Sequence, residues 1–372
     1  MAKERIKWLD TAKGIGIVLV VLGHVHIPDP AGKYIFAFHI PLFFLVSGYL
    51  FGMMKPTGFA GFLKKKTRSL IVPYIAFFLI LYIYVVAIGS RYGENTPKDF
   101  STPIKGLFFS SADYITGIFT PMWFLPCLFT TEMMFFWISR LFKKWYALAL
   151  VGCSALGFFG SVCQLPAAYL HYNSWLVPGF IGSLHFSFRL PWGLDIAFTA
   201  VVFYGVGRAV CGLKSAGRSA LWGIVSIPAF LAVNYFACMW NEGSNLRNNY
   251  YGNYFLFYIA AFAGVFGYVL IARLLQWFTP LVYMGRNSLT IFALHFFVMG
   301  MIRGFVRRVL KYPVENLAQS IPWAIFLTIA CMLALVPVIY VLNKYLYFIL
   351  GKPRPGKLPA GAARDFPDEA GG

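Results

Sequence analysis

The chain reads as an all-α polytopic membrane bundle of about ten helices, and three observations carry that reading. Of its 372 residues, 59% are hydrophobic and only 12% charged, where soluble domains sit near one quarter charged. Mean hydropathy is +0.68. The apolar residues form continuous runs without the strict alternation of a membrane barrel, so helices are expected.

A helix needs about 20 residues to cross the hydrocarbon. Runs of that kind lie at 8–27, 34–52, 70–89, 121–139, 145–163, 192–210, 220–240, 253–275, 281–302 and 322–345. The stretch 164–191 suits a re-entrant or interfacial segment. The N-terminus "MAKERIKWLDTAKG" is charged and has no small-residue cleavage site after the first apolar run, so the first helix is expected to be retained. We expect one transmembrane domain over 1–350. The Pro/Gly-rich, charged stretch 351–372 is expected to be a disordered cytoplasmic tail.

The formal net charge is +19. No basic stretch is joined to a nucleic-acid-binding module, so nucleic acid is excluded as a partner. With both termini in the cytoplasm, cytoplasmic segments hold 22 of the 32 basic residues, which the positive-inside rule favours. Arg303, Arg307, Arg308 and Lys311 fall on the other side, at a helical spacing that suits an interfacial amphipathic helix. The six cysteines lie mostly in apolar runs, form no CxxC pair and read as reduced hydrophobes. No His/Cys spacing suits zinc, and no metal is expected.

Ionisable groups inside a bilayer usually face a cavity or a partner. In the first helix Asp10 and Lys13 are an i,i+3 pair, and His24 returns to nearly the same face eleven residues on. Together they make a polar stripe that would line something wet. A salt-bridged helix start plus one hydrogen-bonded core histidine would account for the same residues. His39 lies on the second helix at a similar depth, ahead of Pro41 and Ser47-Gly48. His26 sits nearer the boundary. Lys64, Lys65, Lys66 and Arg68 form a cation patch that reads either as a topology signal or as a phosphate site. Glu132 is an acid at mid-span depth that needs a partner. Trp123 suits an interfacial belt, and Asp195 would meet substrate or solvent. Asn287-Ser288 is a candidate helix cap, and His295 is a third buried imidazole.

Five stretches occur in one order: "LDTAKGIGIVLVVLGHV", "FAFHIPLFFLVSGYLF", "FLKKKTRSLIVPY", "MWFLPCLF" and "GRNSLTIFALHFF". Together they resemble the acyltransferase 3 family of integral-membrane acyltransferases, in particular its fucose 4-O-acetylase-like branch. The resemblance implies a ten-helix bundle that moves an acyl group, usually acetyl, from cytoplasmic acyl-CoA to a hydroxyl at or beyond the membrane. It implies an essential histidine at His24, a basic residue at Lys13 and an RxxR-like pair at Lys65 and Arg68. Lysine at 65 lacks the bidentate fork of arginine.

On this reading Lys13, Lys65 and Arg68 hold the phosphates of acetyl-CoA, and His24 is the general base for a sugar or glycan hydroxyl, with an acyl-carrying nucleophile as the alternative role. His39 or Glu132 would orient it. Asp10, Ser47, Trp123, Asn287, Ser288 and His295 are the candidates for contact with substrate or oxyanion. Membrane lipid and a glycan-assembly protein are the expected partners, and the bacterial inner or plasma membrane is the expected location. A proton-coupled transporter of a polar solute is the competing reading, as ten helices with intramembrane histidines also suit it. The KKKxR patch and the absence of two similar halves favour the enzyme.

Overall fold

The computed structural model describes residues 6–353 apart from 26, 56–57, 90, 92–98, 165–188, 213–219, 314–316 and 318–319. His26 and nearly all of the 164–191 stretch lie outside the described residues.

The helices are α1 (Lys7–Gly23), α2 (Asp29–Gly52), α3 (Phe59–Lys66), α4 (Val72–Tyr84), α5 (Ser101–Phe109), α6 (Phe124–Leu141) and α7 (Tyr146–Gln164). They continue as α8 (Leu194–Cys211), α9 (Ala220–Trp240), α10 (Tyr254–Leu274), α11 (Thr279–Arg286), α12 (Ser288–Arg308) and α13 (Ile321–Lys344). A π-turn over Thr67–Ile71 joins α3 to α4, and a 3-10 turn over Gly117–Trp123 leads into α6. Among the described residues, nine helical segments are long and apolar enough to cross a membrane.

The tenth expected span is α1. It stops at Gly23, where 8–27 was expected, and its 17 residues rise about 25 Å, short of a hydrocarbon core of about 30 Å. His24 is its C-cap residue. The imidazole therefore stands where the helix ends, just before the chain turns into α2.

The expected span 281–302 is corrected more deeply. It breaks at Asn287, which leaves helical geometry at φ −112° while its side-chain Nδ2 donates to the Tyr283 carbonyl at 2.9 Å. Asn competes for local backbone partners in this way. The membrane-crossing helix thus begins at Ser288 and runs through Arg303, Arg307 and Arg308. These arginines end α12 and do not form a separate interfacial helix. After α13, Gly351 packs on the Arg68 carbonyl and Lys352 bonds Asn343. Residues 354–372 lie outside the described residues.

At the centre, α2 packs against α1, α8, α9 and α10, while α1 packs against α10, α11 and α12. Two crossings are close because glycine faces backbone. Gly48 of α2 abuts the Tyr204 carbonyl of α8, and Gly285 of α11 abuts the Asp10 carbonyl of α1. A side chain at either position would collide with main chain, as in small-residue membrane packing generally. The second crossing seats the α11–α12 break directly against the charged start of α1.

Candidate active site

At the C-terminal end of α1, three histidines from three helices come near one another. His24 and His295 are in direct ring contact, with centroids 5.2 Å apart. Phe296 packs edge-on against both, at 4.8 Å and 5.0 Å. His39 joins through Phe36, whose ring lies 5.1 Å from His39 and 6.0 Å from His24.

Each imidazole is fixed by its own helix. Nδ1 of His24 lies 2.6 Å from the Val20 carbonyl, Nδ1 of His39 2.7 Å from Ile35, and Nδ1 of His295 2.8 Å from Phe292. A carbonyl only accepts, so these contacts assign the proton to Nδ1 and leave the Nε2 lone pair as the basic site. His39 and His295 are fully enclosed, and Nε2 of His295 has no hydrogen-bond partner among the described residues. His24 is only half-buried. It lines a cavity of about 470 Å³ with Asp29, Lys33, Phe36, Ser244, Phe296 and Arg303. A volume of this size takes a small ligand. Nε2 of a half-buried histidine at such a wall can remove a proton from a hydroxyl bound in the cavity.

A second polar cluster occupies the opposite end of α1. Asp10 is buried and holds two cations, Lys13 Nζ at 2.8 Å and Arg286 Nε at 3.2 Å. The next residue, Asn287, accepts from Asn343 Nδ2 at 2.8 Å, and Asn343 in turn accepts from Lys352 Nζ at 2.7 Å. Gly351 then lies on the backbone of Arg68. The network thus links α1, the α11–α12 break, the end of α13 and the π-turn after α3. Lys65 and Arg68 are exposed beside it.

Several expected residues fall elsewhere. Glu132 does not join the histidines. Its carboxylate is buried and accepts from Lys66 Nζ at 2.6 Å, tying α6 to the end of α3. The amide of Asn287 is committed to Tyr283 and Asn343. Asn287 also lies about 12 Å along the helix from His295 and Ser288 about 10 Å, too far for either to donate to an oxyanion there. Asn287 occupies the N-cap position of α12 without making a side-chain cap bond. Ser47 is half-buried on α2, also about 12 Å along the helix from His39. Trp123 is buried in the core beside Phe124. Asp195 is buried 3.6 Å from Arg189.

The expected wet stripe on α1 is absent from the described structure. Ile17 and Val20 occupy the face between Lys13 and His24, and both are fully buried in the apolar core. Helical spacing places residues on one face, but it does not make the positions between them polar.

Arg286, Asn343 and Lys352 are not among the site residues expected from the sequence. Arg286 and Lys352 read as topology charges, although Asn343, a lone amide in an apolar helix, was a signal. The cavity wall was legible in spacing. Asp29, Lys33 and Phe36 share one face of α2, and Phe296 and Arg303 share one face of α12.

No curated protein and no solved structure matches the chain. The family described as "Acyltransferase domain" matches residues 6–342, which takes in α1 through most of α13, with the three histidines and Asp10, Lys13 and Arg286; Asn343 and Lys352 lie just beyond it. The chain therefore belongs to the acyltransferase 3 family and is a multi-pass membrane acyltransferase.

Proposed function

We propose that this protein transfers an acetyl group from acetyl-CoA to a sugar or glycan hydroxyl, with His24 as the general base. The observation that carries the reading is His24 itself: a half-buried imidazole with Nδ1 tied to Val20, on the wall of a cavity, in contact with a second histidine.

His24 Nε2 takes the hydroxyl proton as the oxygen attacks the thioester carbonyl. The tetrahedral intermediate then collapses, the carbon–sulfur bond breaks, and the departing CoA thiolate takes the proton from the His24 imidazolium. Base and acid are the same group, so the enzyme returns to its starting state.

The donor belongs at the other end of α1. Lys13, Arg286, Lys352, Lys65 and Arg68 gather cationic donors suited to phosphate and pyrophosphate. On this reading that end faces the cytoplasm, with N- and C-termini inside a bacterial inner or plasma membrane, and the cavity beside His24 faces outward. A glycan-assembly protein would receive or deliver the acceptor.

The test is CoA release from acetyl-CoA by the purified protein with a panel of sugar acceptors. Wild type turns over, and His24→Ala loses a factor of about 100 to 10,000 while keeping its melting temperature. A folded His24→Ala variant with wild-type turnover would reject the assignment. Absence of both CoA release and CoA-dependent thermal stabilisation would reject the donor.

A further inference from the structure

Two phenyl rings frame His24. Phe36 comes from α2 and Phe296 from α12, and both line the cavity that His24 faces. Each also touches a second histidine, with Phe36 5.1 Å from His39 and Phe296 5.0 Å from His295. The contacts of these two rings with the imidazoles are near perpendicular, at interplanar angles of 65° to 83°. Neither phenyl is stacked on an imidazole, and both are half-buried. Their supports differ. Phe296 leans on the main apolar core, whereas Phe36, among the described residues, packs against no cluster of it. Phe36 reaches His24 over Gly23, where an added Cβ would lie 3.7 Å from its ring. A phenyl ring that the core does not use, held at a cavity wall beside a basic nitrogen, is available to a ligand.

We infer that Phe36 and Phe296 are the specificity-determining wall of the acceptor site, and that the acceptor is a cyclic sugar whose C–H face packs on these rings while one hydroxyl meets His24. This rests on the acyltransferase reading above and narrows its substrate class. The face of a phenyl ring is the negative side of its quadrupole. A pyranose gathers its polarised C–H bonds into patches on a rigid ring, which match that face in sign and in shape. An open-chain polyol offers the same hydroxyls without a rigid face and must give up rotational freedom on binding. Pockets of this kind need only a few polar groups to fix orientation, and Asp29 and Ser244 line the same cavity. Holding the unreactive part of the sugar keeps the reacting hydroxyl at Nε2.

The test compares the methyl pyranosides of glucose, galactose and mannose, each with the open-chain alditol of the same sugar. Thermal stabilisation of the purified full chain is followed against probe concentration, and CoA release from acetyl-CoA is measured with the same probes. At least one pyranoside is expected to bind about tenfold more tightly than its alditol. Phe36→Leu and Phe296→Leu keep apolar bulk but lose the ring. Each should weaken binding of that pyranoside and raise its KM by about 3- to 10-fold, with alditol binding and the KM for acetyl-CoA unchanged. Phe36→Tyr, which keeps the ring, should retain wild-type pyranoside binding. Phe36→Leu should also keep the melting temperature, because the core does not rest on this ring. Should Phe296→Leu not fold, Phe36→Leu and Phe36→Tyr carry the comparison.

No pyranoside binding better than its alditol, or a pyranoside preference unchanged in the leucine variants, would each overturn the inference. If CoA release proceeds equally with alditols and pyranosides, acyl transfer stands and ring recognition fails. If a pyranoside binds through Phe36 and Phe296 but no acceptor supports CoA release, the acyl-transfer reading fails and the sugar site stands.

Discussion

His24 and His295 stand with ring centroids 5.2 Å apart, and each has its Nδ1 bound to a carbonyl of its own helix. The two free Nε2 atoms are therefore the basic positions of the pair. If His24 is the base proposed above, His295 is the closest described imidazole able to share or stabilise the proton it takes. We expect His295→Ala to lower kcat about tenfold, less than His24→Ala, with the KM for acetyl-CoA little changed. In the double-mutant cycle, His24→Ala with His295→Ala should be no slower than His24→Ala alone, because residues acting as one unit are non-additive. Additive losses would separate His295 from the reaction.

Asp10 joins α1 to α11 by holding both Lys13 and Arg286. Asp10→Asn leaves two neighbouring cations without their common counter-charge. Arg286 is 41% exposed and Lys13 22%, so solvent screens part of the repulsion. The expected loss of stability is about 1–3 kcal/mol, below that for a fully buried pair. The same change should raise the KM for acetyl-CoA, since Lys13 and Arg286 lose the anchor that orients them. Thermal unfolding and donor titration on one sample check both effects, and an unchanged donor KM would remove this cluster from the donor site.

The Lys66–Glu132 pair carries a different expectation because it is enclosed. Lys66 is 14% exposed and Glu132 2%, so breaking the pair strands a charge. Glu132→Gln and Lys66→Met are each expected to cost about 3–5 kcal/mol, while the joint replacement Lys66→Met with Glu132→Leu should recover most of the loss. Turnover per folded molecule should stay near wild type in the double variant. A stable double variant without turnover would return Glu132 to the catalytic residues.

The sequence made different parts of the molecule legible to different degrees. Apolar run length located nine of the ten expected spans, because the need to satisfy every backbone group in lipid leaves little choice but helix. Periodicity along a single helix also paired Asp10 with Lys13, which meet at 2.8 Å, although the face from Lys13 to His24 is apolar between them. What it could not supply was the partner across a helix face. Glu132 has the composition of a catalytic acid, yet it is the counter-ion of Lys66, which no spacing within α6 encodes. Asn287 has the composition of an oxyanion donor, yet its amide is committed to Tyr283 and Asn343. The break at 287 and the end of α1 at Gly23 are local choices that run hydropathy averages away.

Ile17 offers the sharpest test of how the two ends of α1 communicate. Lys13 and His24 are about 16 Å apart along the helix, and between them Ile17 and Val20 are fully buried. A donor whose phosphates rest at Lys13 and Arg286 must carry its thioester past this face to reach His24. The described structure is closed there, so passage requires these side chains and their neighbours to move aside. Ile17→Phe adds bulk to that constriction and overpacks the core at a cost of about 1–3 kcal/mol. Leu327→Phe, at an equally buried core position on α13, serves as the control for simple overpacking. Both variants should lose stability, and both should still gain it from CoA, because the cation cluster is untouched. Only Ile17→Phe should lower acyl transfer per folded molecule, by about tenfold or more if the passage must widen by even a further 1.4 kcal/mol of work. Equal turnover in the two variants would mean that the donor arm approaches His24 by another face of α1.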